Sequence, residues 1–440
     1  MSYFQIFILN YNGSRFLTEC LKSLEHLDTE GHRVGVNVVD NGSTDRSEEI
    51  VKSFPGFNFI PLRKNLGFSK GNNQGVRIRL RQLANQNYNP DYLMFLNNDT
   101  TVDRSMIVNI DKTFNSDEKI GIVGLRSLFM NDFIPLSMNS VLAKDQFVDI
   151  EVKGENIGRE LRRYRVCKGH QIAENKWRLS NDSCLFIPVV DSSLASFVSL
   201  QYFGMNSSFS LLKSFYRKDN SFHKEHLVKI SQLSFDALPS QYVKLIQNAG
   251  SFVSTRFEAG DMGSFEIDRG QYDRDRELDA VCGVAMTIRA KLFEELGGFD
   301  ENFFAYYEDT DLSLRARRKG YKCFYSGKAL IHHVHAGSSG VGTDYFKFNV
   351  NFSRLYFLSK FASSSIYSQL LSEIKFGFRT EFELYLQDGV VENKPNLKTY
   401  AKYLRFWIKF YFNRIARVFC LRRDKKMSSN FLKERYVNEY

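Results

Sequence analysis

Short apolar runs alternate with polar turns and helix-period stretches along the first third of the chain. Residues 3–9 (YFQIFIL) and 34–40 (VGVNVVD) are rich in Val, Ile and Phe, and each leads through Asn, Gly and Ser into a helical pattern. Strand, turn and helix in that order are the signature of a parallel α/β sheet. Two more runs extend it: YLMFLN, ending at Asn97, and IGIVGL at 120–125. In open sheets of this kind ligands sit outside the carboxyl ends of the strands. Asp40 and Asp99 fall at such ends, which ranks them above the other acids.

From about Phe129 to Tyr242 the pattern changes to short alternating runs such as SCLFIPVV and FVSLQYF, separated by Ser, Asn and Asp. This predicts a mostly β insertion, and a helix-rich region is expected after Tyr345. The expected organisation is an α/β domain built from 1–130 and 243–344, an insertion at 131–242, and a basic helical region at 345–440. Within that last region Leu397, Ala401, Leu404, Ile408, Tyr411, Ile415 and Val418 recur at steps of four and three, which predicts an amphipathic helix over 397–420. Lys398, Lys402, Arg405 and Lys409 flank the stripe, and Phe406, Trp407, Phe410 and Phe412 lie among them. Such a helix suits an anionic membrane interface, and equally a helix packed on the body with a solvated basic face.

Composition narrows the class. With 440 residues, 43% apolar and 25% charged, the chain can bury a large core in two or three domains. Forty Phe and 22 Tyr against seven Pro favour ordered packing over disorder. Six scattered Cys without C-x-x-C spacing read as reduced thiols in a cytosolic protein. The first residues show no secretion signal, and no uncharged apolar run reaches the length of a spanning helix. The expected location is therefore cytoplasmic, with the tail able to dock on the inner face of the plasma membrane. Of the net charge of +10, most lies between Lys398 and Tyr440, where twelve Lys or Arg face three acids. A nucleic-acid binder would carry such charge on its folded body, so that class is set aside.

Five segments carry candidate chemistry. In VVDNGSTDRSEE, Ser43 or Thr44 is expected to cap the next helix, while Asp40, followed by Asn41, could accept hydrogen bonds from a pyrimidine N–H or a ribose hydroxyl. NLGFSKGNNQGVR spaces Gly67, Gly71 and Gly75 four apart among Asn65, Lys70, Asn72 and Asn73. It lacks a phosphate-loop pattern and reads first as a helix-packing face, with amides able to bond sugar or phosphate oxygens. Asn97-Asn98-Asp99 ends a strand, and a divalent ion commonly takes one or two carboxylates plus substrate phosphates. IHHVHAGSS adds His332, His333 and His335, the last two on one face if extended. Carboxylate, imidazole and diphosphate together suit Mg²⁺ or Mn²⁺.

The fifth segment, FFAYYEDTDLSLRARRKGY at 303–321, places Glu308, Asp309 and Asp311 behind an aromatic cluster and ahead of Arg315, Arg317, Arg318 and Lys319. One acid is expected to cap the helix that follows, and another to act as a base kept ionised beside a phosphate-compatible charge field. The aromatic faces of Tyr306 and Tyr307 suit the apolar faces of sugar rings.

These motifs, taken with CGVAMTIRAKLFEELGGFDENFF, occur in the order seen in glycosyltransferase family 2, and the chain closely resembles its rhamnosyltransferase-like branch over about 1–130 and 245–340. The resemblance implies an α/β GT-A fold, a nucleotide-diphosphate sugar donor (UDP- or dTDP-linked), a divalent metal, and inversion at the anomeric carbon. It implies Asp309 as catalytic base and Asp99 with His333 as metal ligands. Asp40, Asn41, Asn65, Gly67, Lys70, Asn72 and Asn98 fall on the donor side, and Glu308, Tyr306 and Tyr307 on the acceptor side. Asn97 stands where a full DXD motif has an acid. The processive Q-x-x-R-W motif is absent, so one sugar per encounter is expected on a saccharide or lipid-linked acceptor. The rival readings are a sugar nucleotidyltransferase, for which ILNYNGSRF lacks an Arg-containing phosphate loop, and a non-catalytic membrane-surface or lectin-like protein.

Overall fold

The structure, a computed structural model, describes residues 1–86, 88–140, 148–155, 243–255, 257–334 and 344–362, together with short strands between 165 and 237. Side chains of the 134–242 segment are not part of that description, and the region expected to hold the basic helix at 397–420 lies outside the described residues. Among the described residues no helix is long and apolar enough to cross a membrane.

Ten strands form the main sheet: β1 (Tyr3–Asn10), β2 (Arg33–Asp40), β3 (Asn58–Pro61), β4 (Tyr92–Asn97), β5 (Thr100–Val102), β6 (Ile120–Phe129), β7 (Ile246–Asn248), β8 (Arg276–Leu278), β9 (Ala285–Arg289) and β10 (Lys322–His333). Their spatial order is β8-β10-β6-β9-β4-β1-β2-β3, with β7 beside β6 and β5 beside β10. Strands β3, β2, β1 and β4 run parallel, whereas β9 is antiparallel to both β4 and β6. Strand β10 returns parallel to β6, which sets His333 against Phe129 and Thr100. A mixed sheet results, and its parallel half has the expected α/β character.

The continuous apolar runs exist because both faces of the sheet are covered. Phe4, Ile6 and Ile8 of β1 face a cluster built with helices α1 (Ser14–Glu25), α2 (Ser47–Lys52) and α4 (Met106–Asn115), through Leu17, Leu21, Val51, Ile107 and Phe114. Phe7 and the neighbouring Phe95 face the opposite cluster, completed by α3 (Phe68–Ala84), α5 (Ala290–Glu295) and α6 (Glu308–Arg318) through Val76, Phe293 and Leu312. The four-residue glycine spacing in α3 is a packing face: a Cβ at Gly71 would stand 2.7 Å from Leu9, and one at Gly75 2.4 Å from Val39. A last described helix, α7 (Asp344–Phe361), opens the region expected to be helix-rich, and the rest of that region lies outside the described residues.

The insertion is β-rich, as its alternation predicts. One four-stranded antiparallel sheet holds Phe133–Ser140, Arg165–Cys167, Cys184–Pro188 and Leu233–Ala237, and a five-stranded one holds Val148–Glu155, His170–Ala173, Lys176–Leu179, Ser196–Gly204 and Ser207–Phe215. Its two ends meet where Phe133 and Val243 exchange backbone hydrogen bonds of 2.9 and 3.0 Å.

Candidate active site

The carboxyl ends of β1, β2 and β4 bring three polar side chains together. Asn10 is fully buried and joins them: its Nδ2 donates to Asp40 Oδ1 at 3.2 Å, while its Oδ1 accepts from Asn98 Nδ2 at 2.7 Å. The turn after β2 closes as Ser43 N–H donates to Asp40 Oδ2 at 3.0 Å. Ser43 and Thr44 do not cap α2, whose preceding residue is Arg46; Ser43 Oγ instead accepts from Asn12 N–H, and Thr44 N–H donates to Asn12 Oδ1. Gly13 lies against the Asn10–Asn98 contact, and a Cβ there would stand 2.0 Å from Asn98 Nδ2.

Asn41 holds the next loop. Its Nδ2 donates to Asn65 Oδ1 at 3.0 Å and to the Gly67 carbonyl at 3.3 Å, while its Oδ1 accepts from Leu66 N–H at 2.9 Å. Gly67 has φ +79°, a left-handed value natural to glycine, and a side chain there would strike Phe304. Asp40, Asn41, Asn65, Gly67 and Asn98 thus form one connected rim. Lys70 and Asn72 flank Gly71 beside it and bond elsewhere. Lys70 is half-exposed and pairs with Glu301 at 3.9 Å, and Asn72 is buried, donating to the Phe68 carbonyl within its own helix.

Asp99 and His333, 234 residues apart, meet at 3.0 Å between Oδ1 and Nε2, with 6% and 4% of their surfaces exposed. The other ring nitrogen, Nδ1, lies 2.9 Å from Gln247 Oε1, which also accepts from Ser127 Oγ. With Gln247 as assigned, Nδ1 carries hydrogen and Nε2 faces a carboxylate across a gap that calls for a proton or a cation. A carboxylate and an imidazole are donor types that the expected Mg²⁺ or Mn²⁺ takes, so the pair would supply part of its shell. Among the described residues no cluster of three His, Cys, Asp or Glu side chains offers a complete one, and His335 lies outside them. The remaining ligands would be substrate oxygens and water.

Asp309 belongs to the same sheet edge. Asn97 N–H donates to the Val284 carbonyl at 2.9 Å, and the adjacent Gly283 N–H donates to Asp309 Oδ2 at 2.6 Å. Thr310 N–H donates to Asp309 Oδ1 at 2.6 Å. Burial pushes the Asp309 carboxyl above the ordinary aspartate range, against the pull of these bonds. Glu308 is 5% exposed, with Oε2 buried and unpartnered, and burial followed by the Asp309 charge drives its carboxyl well above the usual range. The surroundings differ from those expected. Arg315 pairs with Asp311, Arg317 with Asp279 and Lys319 with Glu295, while Arg318 lies 4.2 Å over the Phe361 ring. These four cations brace α6 and its neighbours, and they supply no phosphate field. Nor does an acid cap α6: the cap position is Tyr307, which has no side-chain cap bond. Tyr306 and Tyr307 both hold left-handed φ values, 70° and 67°, a costly conformation for two bulky residues in succession.

Asn10, Gln247 and Gly283 bond the side chains of the site and carry no role in the sequence reading. Asn10 had a readable signal, the end of an apolar strand. Gln247 in LIQNAG had none, because only the folded topology brings it here.

Residues 5–141 match the family described as Glycosyl transferase family 2. These residues, which include strands β1 to β6 of the mixed α/β sheet, are thus similar to a family 2 glycosyl transferase domain. A 66-residue stretch is 35% identical to the N-acetylglucosaminyl-diphospho-decaprenol L-rhamnosyltransferase of Mycobacterium tuberculosis, covering 15% of this chain and 22% of that protein. Among solved structures, GalNAc-T7 with UDP, GalNAc and Mn²⁺ aligns over 82% of this chain and 50% of its own, at 10% identity and TM-score 0.43. The mannosyltransferase PcManGT from Pyrobaculum calidifontis, in complex with GDP-Man and Mn²⁺, aligns over 96% and 88%, at 11% identity and TM-score 0.39. Structural likenesses this weak add no weight to a reading of the site.

Proposed function

We propose that this protein is an inverting, non-processive glycosyltransferase. It moves a sugar from a UDP- or dTDP-linked donor to a saccharide or lipid-linked saccharide during cell-surface polysaccharide synthesis, on the cytoplasmic side of the membrane. The observation that carries the reading is the Asp99–His333 contact, set on the same sheet edge as Asp309 through the Asn97–Val284 and Gly283–Asp309 bonds. The name of the mycobacterial relative, which specifies a diphospho-decaprenol acceptor and a rhamnosyl group, favours a lipid-linked acceptor and makes rhamnose the first donor sugar to try.

In this reading Asp40, with Asn41 and Asn65 behind it, receives the nucleoside, and Asn98 and Gly67 line the path of the donor. Asp99 and His333 would hold a divalent cation, which when bound supplies positive charge to a departing diphosphate. Asp309 Oδ takes the proton of an acceptor hydroxyl as that oxygen bonds to the anomeric carbon. The bond from that carbon to the diphosphate breaks on the opposite face, and the leaving group carries away the electron pair. Burial of Asp309 raises its basicity for this task, and the bonds from Gly283 and Thr310 fix its direction. Tyr306 and Tyr307 border the acceptor. The fold, residues 1–130 and 243–344 in this reading, is a single transferase domain interrupted by the insertion.

Product analysis tests the class. Incubation of the full chain with dTDP-rhamnose or UDP-hexoses and a lipid-diphosphate saccharide should release nucleoside diphosphate and give a glycoside of inverted anomeric configuration by NMR. Release of pyrophosphate would identify a nucleotidyltransferase instead.

A further inference from the structure

Helix α7 is remote from Asp309 in sequence, yet it grips the segment that delivers this residue. Between Asp300 and Asp311 the chain passes through Tyr306 and Tyr307 in their left-handed conformations and enters α6 with Asp309 in its first turn. Such a conformation in two successive bulky residues persists only where the surroundings over-determine it. Contacts from two helices do so. From α3, Phe68 N–H donates to the Phe304 carbonyl at 2.6 Å, which ties the segment to the Gly67 loop. From α7, Ser353 Oγ donates to the Ala305 carbonyl at 2.7 Å, and the Phe357 ring packs on that of Tyr307 with centroids 5.3 Å apart.

One side chain of α7 joins the two ends of that segment. Lys360 Nζ donates to Asp300 Oδ2 at 2.6 Å and also pairs with Asp311 Oδ1. Asp300 Oδ2 accepts in addition from the Tyr356 hydroxyl at 2.9 Å, one turn earlier on the same helix. Asp311 is fully buried. Its Oδ2 accepts from Arg315 Nε at 2.7 Å, while Oδ1, with no hydrogen-bond partner among the described residues, meets the Lys360 charge. The Asp311 N–H donates to the Tyr307 carbonyl at 2.9 Å and so closes the first turn of α6 around Asp309. The residue that closes this turn is thus the one that Lys360 holds, and the bonds from Gly283 and Thr310 then fix the Asp309 carboxylate itself.

We propose, on the reading of Asp309 as base, that Lys360 is a positioning residue for it: by clamping Asp300 to Asp311 across the strained turn, Lys360 sets the direction in which Asp309 faces the acceptor hydroxyl. A buried ion pair adds little stability over an apolar replacement of the same shape, and its contribution here is one fixed geometry. No bond is made or broken at Lys360, and its ammonium keeps its protons throughout. Donor binding does not pass through it, because Asp40, Asn98, Asp99 and His333 are held by bonds from other elements.

The test uses the full chain with the donor and acceptor between which product analysis finds transfer, and UDP with Mn²⁺ for calorimetry. Lys360→Met should lower kcat by about 10- to 100-fold, the effect of a displaced base, while the donor KM and the UDP affinity stay within about twofold. Lys360→Arg, which keeps a cation for both acids, should recover most of that kcat. The double variant Lys360→Met/Asp311→Asn leaves no uncompensated buried charge, so its thermal midpoint should return toward that of the unsubstituted chain while kcat stays low. It also carries the test should Lys360→Met alone not fold. An unchanged kcat in Lys360→Met overturns the proposal. So does a double variant in which kcat recovers together with the thermal midpoint, since Lys360 would then only neutralise Asp311, and so does a folded double variant that loses UDP affinity along with kcat. Transfer that survives Asp309→Asn would instead overturn the underlying assignment of the base, whatever Lys360 does.

Discussion

At the scale of single residues, the acid turn stores an electrostatic cost. Glu308 is buried next to Asp309, so the folded protein holds the Glu308 proton more tightly than the unfolded chain does. The stability tied to that proton is complete below the ordinary glutamate range and is lost as pH rises through the raised value. Glu308→Gln keeps the shape without the ionisation, so its thermal midpoint should fall less than that of the unsubstituted chain as pH rises above the ordinary glutamate range. Equal slopes would show that Glu308 ionises freely in the folded protein. The sequence revealed that acids cluster here, because Glu308, Asp309 and Asp311 are neighbours in it. It could not reveal their division of labour, since Asp311 is neutralised by Arg315 and Lys360, and Lys360 lies on a helix 49 residues further along. The expectation of a capping acid failed for a local reason: the left-handed turn at Tyr306 and Tyr307 puts a tyrosine at the cap position.

Among the elements, strands buried on both faces were the most legible, because β1, β2, β4 and β6 appear in the sequence as predominantly apolar runs. Strand β3 escaped notice: Asn58–Pro61 is short and lies at the sheet edge. Strand β7 did too, although it delivers Gln247 to the far side of the His333 ring. A residue that fixes a ligating imidazole commonly controls metal affinity by about 10- to 100-fold. Gln247→Leu should therefore weaken Mn²⁺ binding by about that factor, read by the electron paramagnetic resonance signal of free Mn²⁺ in the presence of UDP. Unchanged binding would mean that the ring needs no such support, or that His333 holds no metal. The glycine spacing of α3 was correctly legible as a packing face, since Gly71 and Gly75 let the helix approach Leu9 and Val39.

For the whole molecule, the site depends on closure over long separations. Strand β10 runs parallel to β6 and ends beside β5, so residues 99 and 333 meet although nothing local joins them. Ordered motifs made that convergence an expectation, but pairing and register decided which atoms touch. The insertion leaves the sheet at Phe133 and rejoins it at Val243, where its ends bond to each other, and this leaves β6 and β7 free to pair across its base. The account's central claim is that Asp309 is the base at an edge where donor and cation are held by other residues. Its most direct test is the transfer rate of Asp309→Asn beside calorimetric titration with UDP and Mn²⁺. The account predicts transfer reduced to background with nucleotide affinity retained, and transfer at the unsubstituted rate would contradict it.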